Sequence, residues 1–353
     1  MTLNDRIHAF VALGTFLNQF KTTGIKPVES LPHHSEFFGR FQNKIQTAKH
    51  HNGWFTEENV LFALEQWTEA LQEESLQQWV TDYDMTTVTP KTVGIIMAGN
   101  IPLVGFHDFL CSLISGHKVV AKLSSNDAQL LPLLAEYLIT IAPDFKEYIT
   151  FTTEKLPEFD AVIATGSTNT ARYFEQYFAH KPHIIRKNRN SVAIITGKES
   201  KEELTALGTD IFQYYGLGCR SVSKLFVPKG YDFTEFFEAI FSFSPIMDSA
   251  KYANNYDYNK AVYLMSEFKL WDNGFLMLKE DTSYSSPIAS LFYETYDTDK
   301  QLKERLAQDA TQLQCIVGNH TTNATVQFGR TQQPKLQDYA DGIDILEFLQ
   351  KIC

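Results

Sequence analysis

The spacing of hydrophobic positions changes along the chain near residue 85. Before this point, apolar residues recur on one helical face: Val60, Leu61, Leu64, Trp67 and Leu71. Thr56 can cap that helix with its hydroxyl, and Glu57 and Glu58 suit its first turn. The pattern predicts a helical N-terminal region over residues 1–84, with the apolar stripe packed into a core.

After Val88, short apolar runs alternate with helical spacing. Thr92–Met97 and Lys118–Leu123 predict strands, and residues 103–115 between them predict a crossover helix. Further strands are predicted at 148–152, 160–165 and 191–196, with a helix over about 169–179. Repeated alternation of strands and helices is typical of an open parallel sheet whose ligands bind at the carboxyl ends of the strands.

The segment Gln213–Val227 contains the candidate reactive residue. Cys219 follows a Gly-Leu-Gly sequence and precedes an apolar run that predicts a strand over 224–227. Glycines let the backbone pass close to a substrate, so this thiol can be an exposed nucleophile. A buried cysteine that acts only as a small apolar side chain is the alternative.

The region beyond this segment predicts more α/β structure. Helices are expected near 233–241 and 256–268, a strand at 274–278, and a last α/β stretch over 299–317. Many of its residues are aromatic, which suits either an ordinary core or the wall of an acyl-chain tunnel. Spacing does not separate these alternatives.

Composition narrows the class of protein. A chain of 353 residues can form about two domains, and its formal net charge of -11 disfavours nucleic acid and anionic membranes as partners. The four cysteines are too far apart for a disulfide framework or a metal-binding pair, so we expect no metal. The N-terminus lacks the features of a signal peptide, and the apolar stretch 95–116 includes several polar side chains. We therefore expect a cytoplasmic protein without a membrane span.

One predicted strand ends in a sequence that suits phosphate binding. Thr165, Gly166, Ser167 and Thr168 follow the strand and open the next helix, so their backbone N–H groups can hold a phosphate. An ordinary capped helix start is an equally good interpretation.

The strand before it ends in a second candidate. Lys122, Ser124 and Ser125 bring a cation and two hydroxyls to the strand end, where they can meet a ribose or its phosphate. A solvated strand end is the alternative, although the position favours a ligand.

The order of these segments resembles the aldehyde dehydrogenase superfamily. The similarity rests on Gly99–Leu103, Val119–Ser124, residues 165–168 and the Cys219 segment. A narrower resemblance to the LuxC-like fatty acyl-CoA reductases of bacterial luminescence rests on three motifs: Gly99–Phe109, Phe328–Pro334 and Asp341–Asp344. Their joint order is more specific than any one of them.

The resemblance implies an aldehyde dehydrogenase-like α/β fold. We expect a helical N-terminal region over 1–84, an open parallel-sheet domain for a nicotinamide cofactor over 85–198, and an α/β catalytic domain over 199–325 that carries Cys219. Residues 326–353 would return to the cofactor domain or form an oligomer interface.

The resemblance also implies a mechanism. The Cys219 thiolate would attack an acyl-CoA carbonyl, CoA would leave, and a nicotinamide hydride would reduce the acyl thioester to an aldehyde. The side-chain amide of Asn100 and the backbone N–H of Cys219 would stabilise the oxyanion, and such donors are typically worth ~3–4 kcal/mol each. For Asn100, a turn residue before Pro102 is the alternative.

The chain departs from acid-forming relatives in one segment. Those enzymes use a glutamate to activate water, whereas the matching segment here, Ile185–Ser191, contains no carboxylate. Without such a base the acyl thioester should survive to be reduced, which favours an acyl-CoA reductase. Arg186, Lys187 and Arg189 of this segment would hold CoA or NADP phosphates, or else belong to a solvated loop.

A second departure concerns the cofactor. Ser125 occupies the position where NAD-preferring relatives often place a glutamate, so we expect NADPH, with NADH as the alternative. The glutamate that grips the nicotinamide ribose in relatives is also missing, since Thr282–Pro287 occupies that region.

The sequence thus predicts an NADPH-dependent fatty acyl-CoA reductase. The alternatives are an acid-forming or CoA-acylating aldehyde dehydrogenase for short substrates, and a noncatalytic acyl-binding subunit. The acyl donor would be acyl-CoA or an acyl carrier, with an acyl-transferring or acyl-activating protein as partner; a homo-oligomer is left open. Cys353 is either a flexible acyl acceptor or part of a frayed terminus.

Overall fold

The computed structural model describes residues 1–85 and 88–352, with Thr168 described by its backbone only. The chain forms two compact units. Unit 1 comprises Met1–Lys187 together with the C-terminal segment that begins at Lys335, and unit 2 comprises Asn188–Pro334.

Helices of the described residues fall in both units. The α-helices are α1 (Leu3–Leu17), α2 (His34–His51), α3 (Glu57–Ala70), α4 (Glu73–Val80), α5 (Phe106–Ile114), α6 (Leu130–Ile141), α7 (Thr168–Tyr177), α8 (Lys201–Phe212), α9 (Thr234–Ala239), α10 (Ala250–Met265), α11 (Asp299–Gln308) and α12 (Ile345–Gln350). Short 3-10 helices cover Pro143–Glu147, Gln213–Gly216, Ile240–Asp248, Ala310–Gln312 and Ala340–Gly342. Among the residues that the structure describes, no helix has both the length and the apolar character needed to cross a bilayer.

The strands of the described residues form three sheets. They are β1 (Phe20–Lys21), β2 (Gly24–Ile25), β3 (Thr92–Ile96), β4 (Lys118–Lys122), β5 (Ile149–Thr152), β6 (Ala161–Thr165), β7 (His183–Arg186), β8 (Asn190–Ile194), β9 (Val222–Pro228), β10 (Leu270–Asp272), β11 (Met277–Glu280), β12 (Ser290–Tyr296) and β13 (Leu313–Val317). Strands β1 and β2 form a small antiparallel hairpin.

Unit 1 is built on a parallel five-stranded sheet with the order β5-β4-β3-β6-β7. Its central strands are buried apolar runs, as a sheet covered by helices requires. The helical N-terminal region that the sequence predicts is confirmed, and it packs through aromatic side chains such as Phe16 and Tyr137, whose rings lie 4.2 Å apart.

The C-terminal segment is fastened to unit 1 by a polar network. Tyr83 donates its hydroxyl hydrogen to Asp344 at 2.6 Å, and the Trp79 indole donates to the Tyr339 hydroxyl at 2.9 Å. Asp344 also caps α12 by accepting the Glu347 N–H at 2.9 Å. Burial, followed by the bond to Asp344, raises the pKa of Tyr83 to about 12. Asp344 of the motif Asp341–Asp344 thus attaches the C-terminal segment to the rest of unit 1.

Unit 2 contains a six-stranded sheet with the order β10-β11-β12-β9-β8-β13, parallel except for β10 at one edge. An α/β fold with mainly parallel sheets is therefore confirmed. The predicted strand at 191–196 corresponds to β8, which pairs with β9 in unit 2 rather than with the sheet of the expected cofactor domain. The boundary between the compact units lies at Lys187/Asn188, and the division into cofactor and catalytic functions stays a prediction.

A buried ion pair joins the first crossover helix to the edge of the sheet in unit 1. Arg186, the last residue of β7, donates to both carboxylate oxygens of Asp108 in the first turn of α5, at 2.7 and 2.8 Å. Both side chains are almost fully buried. Loss of one partner would leave a buried charge without its counterion, which typically costs about 3–5 kcal/mol.

We expect Asp108→Asn to lower the free energy of unfolding by about 3–5 kcal/mol, because Arg186 would keep its charge in a buried position. Urea titration followed by circular dichroism measures this change. Glu136→Gln is the matched control, since its partner Arg40 is exposed and the pair should contribute no more than about 1 kcal/mol. Equal losses in the two variants would contradict the structural importance of the buried pair.

Candidate functional site

The three candidate-site segments of unit 1 follow β3, β4 and β6. They lie along one edge of its sheet, the edge that the carboxyl ends of the strands form. Ile96 of β3 pairs with Lys122 of β4 on one side and with Ala164 of β6 on the other. Because the strands are parallel, their carboxyl ends meet at this edge. Asn100 and Ser125 lie in the loops after β3 and β4, and Thr165 is the last residue of β6. All three residues therefore lie at the ends of consecutive strands of the sheet.

The loops after β3 and β4 are packed closely together. A Cβ atom added to Gly99 would lie 2.5 Å from Ser124 Oγ, so glycine is needed at this position. Ser124 Oγ accepts the Asn126 N–H at 3.3 Å, and this hydroxyl thus has a structural partner in its own turn. Lys122 is half-buried, whereas Ser125 is exposed at the same edge.

The carboxyl group of the half-buried Asp127 holds the loop that carries Asn100. Asp127 Oδ2 accepts the N–H of Leu103 at 2.8 Å, and Leu103 has a left-handed backbone with φ of 58°. Burial raises the pKa of Asp127 to about 6, although the Leu103 N–H opposes this rise. Asn100 itself is exposed in the bend that precedes this anchored residue.

The segment 165–168 forms a capped helix start. Ser167 Oγ accepts the Thr170 N–H at 3.3 Å and lies 2.9 Å from the Thr170 hydroxyl. The Gly166 N–H donates to the Arg186 carbonyl at 3.2 Å and so belongs to the sheet. Ser167 is exposed and Thr165 half-buried, while the side chain of Thr168 lies outside the described part of the chain. Phosphate binding at this segment stays a prediction.

The three cations of residues 185–191 differ in their surroundings. Arg186 is buried and paired with Asp108, so it is neither a phosphate ligand nor part of a solvated loop. Lys187 pairs with Glu175 at 2.8 Å with both side chains about half exposed. Arg189, in unit 2, donates to the Leu313 carbonyl at 3.2 Å.

Cys219 is exposed in a turn of unit 2 that lies immediately before β9. The Ser221 N–H donates to the Gly218 carbonyl at 3.0 Å, which closes the turn around Cys219. Of the other described cysteines, Cys111 and Cys315 are buried, and burial raises the pKa of the Cys111 thiol well above its ordinary value. Cys353 lies outside the described residues. Exposure therefore favours Cys219 as the reactive thiol.

The backbone before this turn has an uncommon conformation. Tyr214, Tyr215 and Gly216 all have left-handed backbones, with φ of 55°, 58° and 74°. Such a conformation costs roughly 1–2 kcal/mol for each residue other than glycine. Tyr214 is buried, and Tyr215 lies 6.1 Å from the ring of Tyr252. Strain held by packing next to a candidate nucleophile is typical of functional sites.

The segment without a carboxylate ends against the Cys219 turn. Ser191, at the start of β8, donates its hydroxyl hydrogen to the Cys219 carbonyl at 2.9 Å. Ser191 was not predicted as a site residue, because only the pairing of β8 with β9 brings it to Cys219. The segment Ile185–Ser191, which contains no carboxylate, therefore ends in contact with the residue that carries the candidate nucleophile.

Strand β9 also holds the loop Thr282–Pro287. Ser223 donates to the Tyr284 carbonyl at 2.7 Å, and the fully buried Lys224 donates to the Thr282 carbonyl at 2.9 Å and to Glu294 at 2.6 Å. Burial lowers the pKa of Lys224, while Glu294 acts in the opposite direction. Sequence patterns gave no signal for this lysine, since it lies within an apolar run that predicts a strand.

Asn100 and Cys219 belong to different compact units. The shared oxyanion role that the family resemblance implies for them therefore stays a prediction.

The aromatic-rich region of unit 2 is mostly core. Phe233, Phe236 and Tyr252 are buried in it, whereas Phe241 is exposed. These buried rings have the ordinary role of core residues.

We expect the free energy of unfolding to depend on Asp127 between pH 3.8 and 6. In this window the folded state binds the Asp127 proton more tightly than the unfolded state does, so stability falls as the pH rises. Asp127→Asn keeps an oxygen for the Leu103 N–H and removes the charge. The difference in free energy of unfolding, variant minus wild type, should rise by about 1–3 kcal/mol from pH 4 to pH 7. A difference that stays constant in urea titrations over this range would contradict a raised pKa.

Comparison with known proteins places the chain in a family. The protein-family model of acyl-CoA reductase (LuxC) matches residues 28–243. No curated protein sequence matches the chain significantly. Many solved structures share the fold, which agrees with the aldehyde dehydrogenase-like architecture that the sequence predicts.

Three of these structures illustrate the similarity. Aldehyde dehydrogenase 21 from Physcomitrella patens, in complex with the reaction product succinate, matches at 13% identity with a TM-score of 0.65, over 100% of this chain and 84% of that chain. An indole-3-acetaldehyde dehydrogenase in complex with NAD+ matches at 14% identity and a TM-score of 0.60, over 93% and 76%. An NAD-dependent aldehyde dehydrogenase from Sinorhizobium meliloti matches at 13% identity and a TM-score of 0.60, over 92% and 72%.

At these identities the structures establish only the fold. The family match also bears on the class of reaction. It supports an oxidoreductase that acts on aldehydes or acyl groups. Because the family model matches more than half of the chain, this protein belongs to the acyl-CoA reductase (LuxC) family.

Proposed function

We propose that this protein reduces fatty acyl-CoA to aldehyde through an acyl thioester on Cys219, with NADPH as the reductant. One observation carries the proposal: Cys219 is exposed, and its backbone carbonyl accepts a hydrogen bond from Ser191, the last residue of the carboxylate-free segment. Family membership supports the reaction class, and the arrangement of this turn supports the choice of nucleophile.

The first half of the reaction needs only the thiol and the acyl-CoA. The Cys219 sulfur forms a bond to the acyl carbon, the bond from that carbon to the CoA sulfur breaks, and CoA leaves as a thiol with the proton that Cys219 gave up. The product is a thioester on Cys219. A rigid turn favours this step, since the attacking sulfur must approach the carbonyl in a narrow range of orientations.

The acyl thioester must then be protected from water until it is reduced. A carboxylate near the thioester would activate water as a general base, as acid-forming relatives do. The segment beside Cys219 supplies instead the Ser191 hydroxyl, which donates to the Cys219 carbonyl. We infer that this substitution favours an aldehyde product over an acid.

The edge of the sheet in unit 1 is suited to a nicotinamide cofactor. Lys122 and Ser125 stand at the end of β4, and Gly99 allows the closely packed loops at this edge. Helix α7 begins just after β6, which pairs with β3 in this sheet, and its N-terminus can hold a phosphate through backbone N–H groups. When bound, the cofactor supplies a hydride. The solved structure of an indole-3-acetaldehyde dehydrogenase with the same fold contains NAD+, which supports a nicotinamide cofactor here.

The loop after β4 favours NADPH over NADH. Asp127 is the one carboxylate in residues 123–129, and it accepts the Leu103 N–H inside the structure. Ser125, at the position of the glutamate in NAD-preferring relatives, is exposed and uncharged. A 2′-phosphate would therefore meet Lys122 and hydroxyls without repulsion from a neighbouring carboxylate. A protein partner that delivers the acyl group and a homo-oligomeric assembly stay predictions.

We expect purified protein mixed with acyl-CoA, without NADPH, to gain the mass of one acyl group. Intact-mass spectrometry over several chain lengths should show the preferred length, and addition of NADPH should release aldehyde. Cys219→Ala should lose both the acyl adduct and the turnover, because its thiol is the acceptor. Cys315→Ala is the control, since this cysteine is buried in β13.

Other outcomes of this experiment distinguish the alternatives. Unchanged turnover in Cys219→Ala would contradict the assignment of the nucleophile. Oxidation of aldehyde with NAD(P)+ in the absence of CoA would indicate an acid-forming dehydrogenase. Binding of acyl-CoA without any adduct or turnover in the wild type would indicate a noncatalytic subunit.

A further inference from the structure

Buried hydrogen bonds connect the Cys219 turn to the motif Phe328–Pro334. Ser221 Oγ accepts the Gly218 N–H at 3.3 Å and an N–H of the Gln332 side-chain amide at 3.2 Å. Ser221 is 2% exposed and Gln332 is 7% exposed, so both groups are largely removed from solvent. One hydroxyl thus joins both ends of the turn to a side chain 111 residues further along the chain.

Asp210 on α8 fixes the backbone that carries Gln332. Its carboxylate accepts the Gly329 N–H at 2.7 Å, the Thr331 N–H at 3.0 Å and the Thr331 hydroxyl hydrogen at 2.8 Å. Asp210 and Thr331 are fully buried. Hydrogen bonds to a charged acceptor are stronger than those between neutral groups, so this anchor holds the segment firmly.

The local backbone of the motif fits this anchor. Gly329 has a φ of 76°, a conformation that favours glycine, and a Cβ there would lie 3.1 Å from the Ala206 side chain on α8. The motif therefore packs directly on the helix that leads towards the Cys219 turn. The anchored backbone thus holds the Gln332 amide in place beside Ser221.

We propose that Gln332 is a positioning residue for Cys219, an inference that rests on the proposed function of Cys219 as acyl acceptor. It acts through Ser221: the amide fixes the hydroxyl, and the hydroxyl fixes the Gly218 N–H at the start of the turn. Cys219 follows Gly218 directly, so the direction of its thiol depends on this bond. Loss of the amide donor loosens one of the bonds that hold the turn, which then samples more of the orientations in which attack on an acyl carbonyl is slow.

A double-mutant cycle tests this role. Gln332→Met keeps the length of the side chain and removes its donors, and Ser221→Ala removes the bridging hydroxyl. Gln333→Met is the matched control, because the neighbouring Gln333 is half-buried and bonds Arg330 at 2.6 Å. The measured quantity is the rate constant of acyl-enzyme formation on Cys219, followed by intact-mass spectrometry at several acyl-CoA concentrations.

Gln332→Met and Ser221→Ala should each slow acylation by about 3- to 10-fold relative to Gln333→Met. The acyl-CoA concentration for half-maximal rate should change less than about twofold, and the double variant should be no slower than the slower single variant, as expected for residues acting in one pathway. Equal rates in Gln332→Met and Gln333→Met, or effects that multiply in the double variant, would overturn the proposal. Gln332→Glu, which also lacks the amide donors, carries the test if the methionine variant does not fold.

The cycle is repeated with iodoacetamide, which alkylates a thiol without acyl-CoA. A wild type that forms no acyl-enzyme would refute the proposed function, and the alkylation rates would still report on the turn. A common change in the rate of Cys219 alkylation in Gln332→Met and Ser221→Ala, absent from Gln333→Met, would support positioning. Identical alkylation rates in all variants would overturn it.

Discussion

The hydrogen bond from the Ser191 hydroxyl to the Cys219 carbonyl connects the two features on which the proposed chemistry depends. It joins the backbone of Cys219, whose side chain is exposed, to the segment that the family resemblance matches with the water-activating glutamate of acid-forming relatives. The bond exists because β8 and β9 are parallel neighbours, which brings the start of β8 to the turn before β9. The pairing of β8 with β9 thereby places Ser191 beside the backbone of Cys219. None of residues 185–191 carries a carboxylate.

Local patterns predicted much of the fold. Apolar runs with helical segments between them indicated β3, β4, β6 and β9, and all of these strands are present. Strand β12 was missed, although it lies between β11 and β9 in the sheet. Its second half, Tyr-Glu-Thr-Tyr296, alternates too weakly to indicate a strand, and pairing with distant strands stabilises it instead. Strand β8 was found, but its sheet was not, because strand pairing is not a local property.

The candidate site shows the same limit. Cys219 and the strand-end segments could be named as candidates because each is a short motif of suitable residue types, and the family resemblance then favoured Cys219 as the nucleophile. Their supporting contacts could not, since Asp210 meets Thr331 across 121 residues and Ser221 meets Gln332 across 111. Arg186 was misjudged for a related reason: three cations in seven residues suggest a solvated or phosphate-binding loop, whereas its partner Asp108 is 78 residues away.

In the proposed reaction the Cys219 thioester is kept from water and then reduced. The most direct measurement is the fate of isolated acyl-enzyme in a single turnover. The protein is acylated, freed of acyl-CoA and divided in two, and the acyl adduct is followed with and without NADPH by intact-mass spectrometry. We expect a long-lived adduct in buffer alone and stoichiometric aldehyde when NADPH is added. Rapid loss of the adduct to free acid in both samples would contradict it.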